Sequence, residues 1–448
     1  MQHIARKVLE FLPLLAFILA CISFALLYGL WAGKSNAFPT PQVFAAWGAV
    51  KSAWSDVEET YLNKHWTINL APSPWRLRVT APQQATDRLR LLAVMTSDLT
   101  SAVRVVTPAG ETIHEWRLNW FERKPDLTKI PEKRRPKALP GATVHGSELT
   151  TEGSLIVNFE HLSTMRIGPC GATEWALPNL GHHSVFIDQE DNIWVSGENY
   201  FPSDSEVPYD NYEAPLRDWV IEKISPSGEV LLRASIIDIL EKNDLVGLAL
   251  APARDNADTI IDGDTLHLND VEIIPQGVSS DILESGDIIV SLRNINTILV
   301  LDKETFEVKF RSTGRFLRQH DPDFVSDDKI VVFDNRNLSG KKRGRVKSRL
   351  LEVDASTGSV RPYFSDGEAP AFFTDIMGKQ QILDNGNVLI VSAREGRVIE
   401  VTPAGRIAWL YENKIAEDRR GLVTSATVLP PEQDEAFFRR LTQTCSDA

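Results

Sequence analysis

Two hydrophobic periods divide the chain. From residue 11 to residue 33 no position is charged, and a helix of that length spans a bilayer core with some tilt. Arg6 and Lys7 precede the run, so the positive-inside rule keeps the N-terminus in the cytoplasm and exports the chain beyond Lys34. The run exceeds a signal peptide's apolar region and no Ala-x-Ala site comes after it, which favours an uncleaved transmembrane anchor. Pro13 falls in its first turns, where one lost backbone hydrogen bond is tolerated. After Pro39 and Pro41, the spacing of Trp47, Val50, Trp54, Val57 and Tyr61 predicts an amphipathic helix over residues 43–64.

Beyond that helix the period becomes two, and a unit repeats six times: strand, polar break, strand, turn, strand. The copies begin at Leu91, Ser154, Asn192, Asp287, Lys329 and Asn387. Several turns read Pro-x-Gly, as at Pro108, Pro226 and Pro403. A meander of about four strands repeated six times is the pattern of an all-β, six-bladed β-propeller, whose closure removes exposed sheet edges. Insertions at 199–217 and 236–264 lengthen individual blades, the second with a short helix over Ile236–Lys242. The predicted organisation is a cytoplasmic tip and anchor over 1–34, a linker and helix over 35–75, the propeller over 76–430 and a tail over 431–448.

Within the repeat one position is recurrently histidine. His145, His183 and His320 each lie ten residues before the second residue of a strand, at Leu155, Ile193 and Ile330. His267 occupies the matching place in a fourth copy, with an insertion lengthening the interval to Ile288. Equivalent blade positions are related by rotation about the axis, so these residues are expected to ring one end of the channel. His145 is the weakest member, because its copy lacks the surrounding motif. His182 is one residue out of register and is expected to point elsewhere. A second column places Arg293 where other copies have Glu160, Glu198 and Asn335; a guanidinium there suits a sulfate or phosphate, the alternative being a salt bridge to Glu198 or a neighbouring acid.

A net charge of −13 opposes nucleic-acid binding, and the basic clusters at 132–137 and 341–347 read as solvated loops. Of three cysteines, Cys21 belongs to the anchor. Cys170 and Cys445 are left as the sole candidate disulfide pair outside it, undecided by sequence. No Cys-x-x-Cys spacing exists for a cysteine zinc site, and no metal or other cofactor is expected.

At these residues the sequence resembles the bacterial arylsulfate sulfotransferases, which move sulfate between phenols without 3′-phosphoadenosine 5′-phosphosulfate. The similarity rests on His182-His-Ser-Val-Phe-Ile-Asp, Asp264-Thr-Leu-His-Leu-Asn-Asp, Ser291-Leu-Arg-Asn, and Arg318-Gln-His-Asp with Phe333-Asp-Asn. It covers roughly residues 85–430. Ser184, Thr265 and Asp270 depart from the family's pattern. The resemblance implies that His320 is a transiently sulfated nucleophile and that His267, Arg293 and His183 bind the sulfuryl group and act on the phenol oxygens. Asn269 and Asn335 would be substrate-binding. The implied partners are an aryl sulfate donor and a phenolic acceptor, with the propeller on the periplasmic side of the cell inner membrane, held by a single-pass anchor. A homo-oligomer or larger membrane complex is left open. The alternative reading is an inactive propeller serving as scaffold or binding subunit of a membrane complex; three convergent histidines also admit a zinc-dependent hydrolase.

Overall fold

The computed structural model describes residues 2–35, 37–38, 67–69, 77–79, 83–123, 125–252, 261–337, 347–364 and 370–446. The amphipathic helix expected over 43–64 and most of the basic cluster at 341–347 lie outside them. The chain forms two compact units, Met1–Lys64 and His65–Ala448. The first contains one long helix, Gln2–Ser35. Its 23-residue stretch Pro13–Ser35 is long and apolar enough to cross a membrane, as either an anchor or a signal sequence would be.

The second unit is a six-bladed β-propeller. Copies of the repeat supply the second to fourth strands of each blade, and the strand before each copy is the innermost. The inner strands of blades two to six are Val144–Leu149, His182–Ile187, Leu268–Ile273, His320–Ser326 and Lys379–Ile382. Blade one takes its inner strand from the far end of the chain: Val423–Val428 pairs with Arg90–Met95. This closes the ring by hydrogen bonds between the two ends of the domain.

The apolar runs of the repeat follow from this geometry. Alternate residues of a strand face opposite neighbouring blades, and both faces are buried, so the sequence loses the polar alternation of a one-sided sheet. Ile288 and Val290 pack towards blade three while Ile289 packs towards blade five. Leu91 and Ala93 face blade two; Leu92 and Val94 face blade six. The Pro-x-Gly turns place Gly110, Gly228 and Gly405 at φ 82, 87 and 71°, a left-handed conformation that glycine adopts without a Cβ clash.

The C-terminal segment folds back onto the ring. Glu435–Ser446 is a helix that buries Phe438 in the blade one–blade two core, and Cys445 is disulfide-bonded to Cys170 in blade two.

The seam between the last and first blades carries a charged clasp. Arg90 pairs with Glu400 at 2.6 Å, both side chains fully buried, and stacks over Trp409 at 4.2 Å. Glu400 also accepts from Thr86 N at 2.8 Å and Asn387 Nδ2 at 2.7 Å. Removing one member of a buried pair strands the other charge, at a cost of about 3–5 kcal/mol, whereas an apolar replacement of both costs far less. Arg90→Met and Glu400→Leu are each expected to lower the thermal midpoint sharply, and the double variant to recover most of the loss. A double variant less stable than either single one would reject the clasp as a buried-charge constraint.

Candidate active site

The inner strands are irregular at one shared level. Register slips between Val144 and Gly146, His182 and Val185, Leu268 and Asp270, His320 and Asp323, and Val423 and Ser425. His183, His267 and Asp321 there have φ of 57, 55 and 50°, unusual for residues with a side chain. A bulge sets two residues against one and re-aims their side chains. The alternation that should separate His182 from His183 is thereby lost, and their ring centroids lie 3.8 Å apart.

All four histidines of the recurrent register converge. The His183 ring lies 4.1 Å from that of His145 and 5.1 Å from those of His267 and His320. His182, expected to point elsewhere, belongs to the same cluster: it stacks against Trp219 and lies 3.8 Å from His161. His161 is not singled out by its spacing; it comes after strand two of its blade rather than at the start of the inner strand.

Partners fix the tautomers. His267 Nδ1 lies 2.5 Å from Asp264 Oδ2, so the ionised carboxylate accepts its N–H and neutral His267 offers a lone pair at Nε2. His183 Nε2–H donates to that lone pair at 2.9 Å, which leaves the lone pair of His183 on Nδ1. Asp264 also accepts from Trp219 Nε1 at 2.9 Å. Although burial opposes ionisation, His267 and Arg217 hold this carboxyl well below the usual range.

His320 is held differently. Its Nδ1 lies 2.7 Å from Asn335 Oδ1 and 3.1 Å from the Arg318 carbonyl, so Nδ1 carries the proton. Asn335 Nδ2 donates to the carbonyls of Thr374 and Met377 at 3.1 and 2.6 Å, which orients the amide. Both ends of Asn335 are thus engaged within the protein, where sequence suggests a substrate contact. His320 Nε2 is buried and has no hydrogen-bond partner. Asn269 Nδ2 donates to the Gln319 carbonyl at 2.7 Å, anchoring the backbone beside His320, and Asn269 Oδ1 is buried without a partner.

Burial keeps these imidazoles neutral. It pushes His320 down to about 3, with the Arg293 charge adding to the effect, and His267 to about 4. His145, His161, His182 and His183 are depressed well below the ordinary histidine range, again chiefly by burial. Arg293, at the start of a 3-10 turn after its strand, is lowered by burial to about 10 and stays charged at neutral pH. The alternative salt bridge to Glu198 or a neighbouring acid is not formed among the described residues. Glu198 instead pairs with Arg134 at 2.8 Å and Arg217 at 2.9 Å. Arg134 corrects a second expectation: its basic cluster is not wholly solvated, since this side chain turns inward and covers Tyr200 at 4.5 Å.

Further along the same inner strands the channel changes sign. A cavity of ≈ 280 Å³ is lined by Glu148, Asp270, Glu272, Asp321, Asp323 and Lys379, among others. Lys379 pairs with Asp321 at 3.2 Å. Burial raises Glu148 and Asp270 to about 7, and raises Glu272 and Asp323 well above the carboxylate range, their mutual repulsion adding to it. The sequence does carry a mark of this acidic band: Glu148, Asp270 and Asp323 each lie three residues after a register histidine.

The six-bladed propeller thus gathers a ring of buried imidazoles beside the guanidinium of Arg293, which has no ion-pair partner among the described residues. The family model for arylsulfotransferase (ASST) matches residues 173–414, and the chain belongs to that family. No curated protein matches it. Solved structures similar to it include a protein of unknown function from Bacteroides caccae, at 9% identity and TM-score 0.47, covering 76% of this chain and 98% of that one. A catalytically inactive virginiamycin B lyase from Staphylococcus aureus with quinupristin has 10% identity and TM-score 0.33, covering 60% and 69%. BamB from Moraxella catarrhalis has 10% identity and TM-score 0.30, covering 77% and 76%.

The acidic band yields a pH test. A carboxyl whose folded pKa is raised binds more protons folded than unfolded, so its penalty on stability grows as pH rises from the ordinary carboxylate range through its folded value. Glu272→Gln with Asp323→Asn is expected to raise the thermal midpoint relative to wild type, by a larger margin at pH 8 than at pH 5. An equal margin at both would show that these carboxyls titrate normally.

Proposed function

We propose that the protein transfers a sulfuryl group from an aryl sulfate donor to a phenolic acceptor through a sulfohistidine at His320. The observation that carries this reading is the state of His320. Its Nδ1–H is held by Asn335, so the lone pair is on Nε2, which is buried and unpartnered beside the charge of Arg293. A neutral imidazole with one nitrogen fixed and the other bare is a competent nucleophile at neutral pH.

In the first half-reaction the Nε2–S bond forms as the bond from sulfur to the aryl oxygen breaks. Charge stays largely on the peripheral sulfuryl oxygens, where the fixed guanidinium of Arg293 counters it. The leaving phenolate needs a proton. The resting imidazoles lack a spare one, but a bound anionic ester raises the pKa of neighbouring histidines. The His267–His183 pair, backed by Asp264, takes up that proton and passes it to the departing oxygen. In the second half-reaction an acceptor hydroxyl gives its proton to the pair, its oxygen attacks sulfur, and the N–S bond breaks to restore His320. Asn269 positions the His320 backbone, and Asn335 sets its tautomer.

The apolar N-terminal helix and the Cys170–Cys445 disulfide favour an anchored enzyme facing the periplasm, since disulfides persist in oxidising compartments.

Intact-mass analysis after exposure to an aryl sulfate is expected to show one added sulfuryl group on wild type and none on His320→Asn. Phenol release without any His320 adduct would overturn the covalent route. Arg293→Leu should lower kcat/KM by at least about 100-fold, the range for losing one preorganised charge-stabilising donor, with an unchanged thermal midpoint; retained activity rejects its role. With His320 near 3 and His267 near 4, the proton for the leaving group is taken up from solvent, so kcat/KM should decline steadily by up to about tenfold per unit as pH rises from 5 to 8. A fall beginning only near 6.5 would mean that the essential imidazoles are not the buried ones.

A further inference from the structure

Three histidines of the cluster converge in a way that sulfuryl transfer does not require. One ring nitrogen from each of His145, His182 and His183 lies within 4.8 Å of the other two. Two of these side chains are left unsatisfied. Both nitrogens of His145 and the Nδ1 of His182 are buried without a hydrogen-bond partner, in residues 5% and 2% exposed. Buried polar atoms are nearly always paired, and an orphaned set points to a missing ligand.

We propose that His145, His182 and His183 form a binding site for a divalent transition-metal ion of the zinc class. Neutral imidazole is the favoured nitrogen ligand for such ions, bound at about 2.0–2.1 Å with a fourth position open to water or an oxyanion. The burial that depresses these three histidines keeps their lone pairs available at neutral pH.

Their surroundings have the form of an outer shell. Ligating histidines usually donate their second N–H to a carboxylate or a similar acceptor, which fixes the tautomer. His183 donates from Nε2 to His267, itself bonded to Asp264, and so retains a lone pair on Nδ1. Glu160 Oε1 lies 3.7 Å from His145 Nδ1, beyond hydrogen-bond reach, so either nitrogen of that ring is open to an ion. Cations act on these imidazoles from several sides: Arg293 on His145 and His183, Lys379 on His145, and Arg217 and Arg134 on neighbouring His161. The carboxylates of Asp264 and Glu160 offset them. Hard ions such as magnesium or calcium, which need six or more oxygens, find no such ligand set here.

The test reads metal binding alone, so its failure leaves the sulfohistidine reading standing, and the reverse. The full-length protein in detergent, stripped with a chelator and dialysed, would be titrated calorimetrically with Zn²⁺. One equivalent should bind, at least 100-fold more weakly to His145→Gln/His182→Gln and undiminished to His320→Asn. Absence of saturable one-to-one binding, or equal affinity in the double variant, overturns the site. Substitution of wild type with Co²⁺ supplies a readout that needs no variant. Intense visible bands of a four-coordinate nitrogen site support the assignment, and the weak spectrum of a six-coordinate oxygen site overturns it.

Discussion

Closure of the ring is the constraint on which the rest depends. The inner strand of blade one is made by Val423–Val428, more than three hundred residues away in sequence from the Arg90–Met95 strand it pairs with. Until that pairing forms, blades two and six each lack a neighbour, and two interblade cores, around Leu91 and around Leu92, stay open. The Arg90–Glu400 pair then sits dry in the seam. Such a pair adds little net stability over an apolar contact; its weight lies in the penalty for closing the seam with either partner displaced. The site inherits this dependence, because His145, His183, His267 and His320 come from four successive blades and meet only when all six are packed about one axis.

The channel sorts buried polarity by position. At one level the bulged strands and the loops beside them gather six imidazoles, and a few residues further along the same strands they gather five carboxyls around Lys379. Desolvation drives both sets towards neutrality from opposite directions, lowering histidine and raising carboxyl pKa values. Both levels can therefore be buried without an excess of uncompensated charge. Arg293 departs from that pattern: it keeps its charge after burial and has no carboxylate in ion-pair range among the described residues. A stored, unneutralised cation is the local conflict expected at a functional site rather than in a structural core.

Much of this is legible in the chain. The six copies are visible because each strand is buried on both faces, which leaves a compact apolar signature such as Ile288-Ile-Val or Leu155-Ile-Val. The histidine register is visible because the link from inner strand to second strand is short and of constant length in three blades. The features that spacing misses have a common cause: they depend on contacts between distant segments or on broken alternation. His182 is misplaced by its register because a left-handed residue at 183 turns both neighbours the same way. His161 and Arg134 reach the cluster from loops with no repeat register. The last eighteen residues read as a tail, yet they supply a helix fastened by Cys445 to Cys170. The acidic band is different, a repeat column in its own right: Glu148, Glu272 and Asp323 pair with equivalent residues of the second strand, Ile156, Ile289 and Val331.

The histidine cluster at rest is neutral, and this determines how it can answer a ligand. An anionic ester brings a charge that stabilises imidazolium, so it recruits from solvent the proton its leaving group needs; a metal ion needs the opposite, lone pairs that no proton has taken. The two demands meet at His183. Its Nε2–H is committed to His267 by the Asp264 carboxylate, so Nδ1 is the atom left for either occupant. Arg293 tilts the choice. On the proposed readings its fixed charge would attract sulfuryl oxygens and oppose a bare dication, so a metal would gain most with an oxyanion bound beside the guanidinium. On both proposed readings, then, the charge of Arg293 would favour an oxyanion at the cluster, bound directly or through a metal.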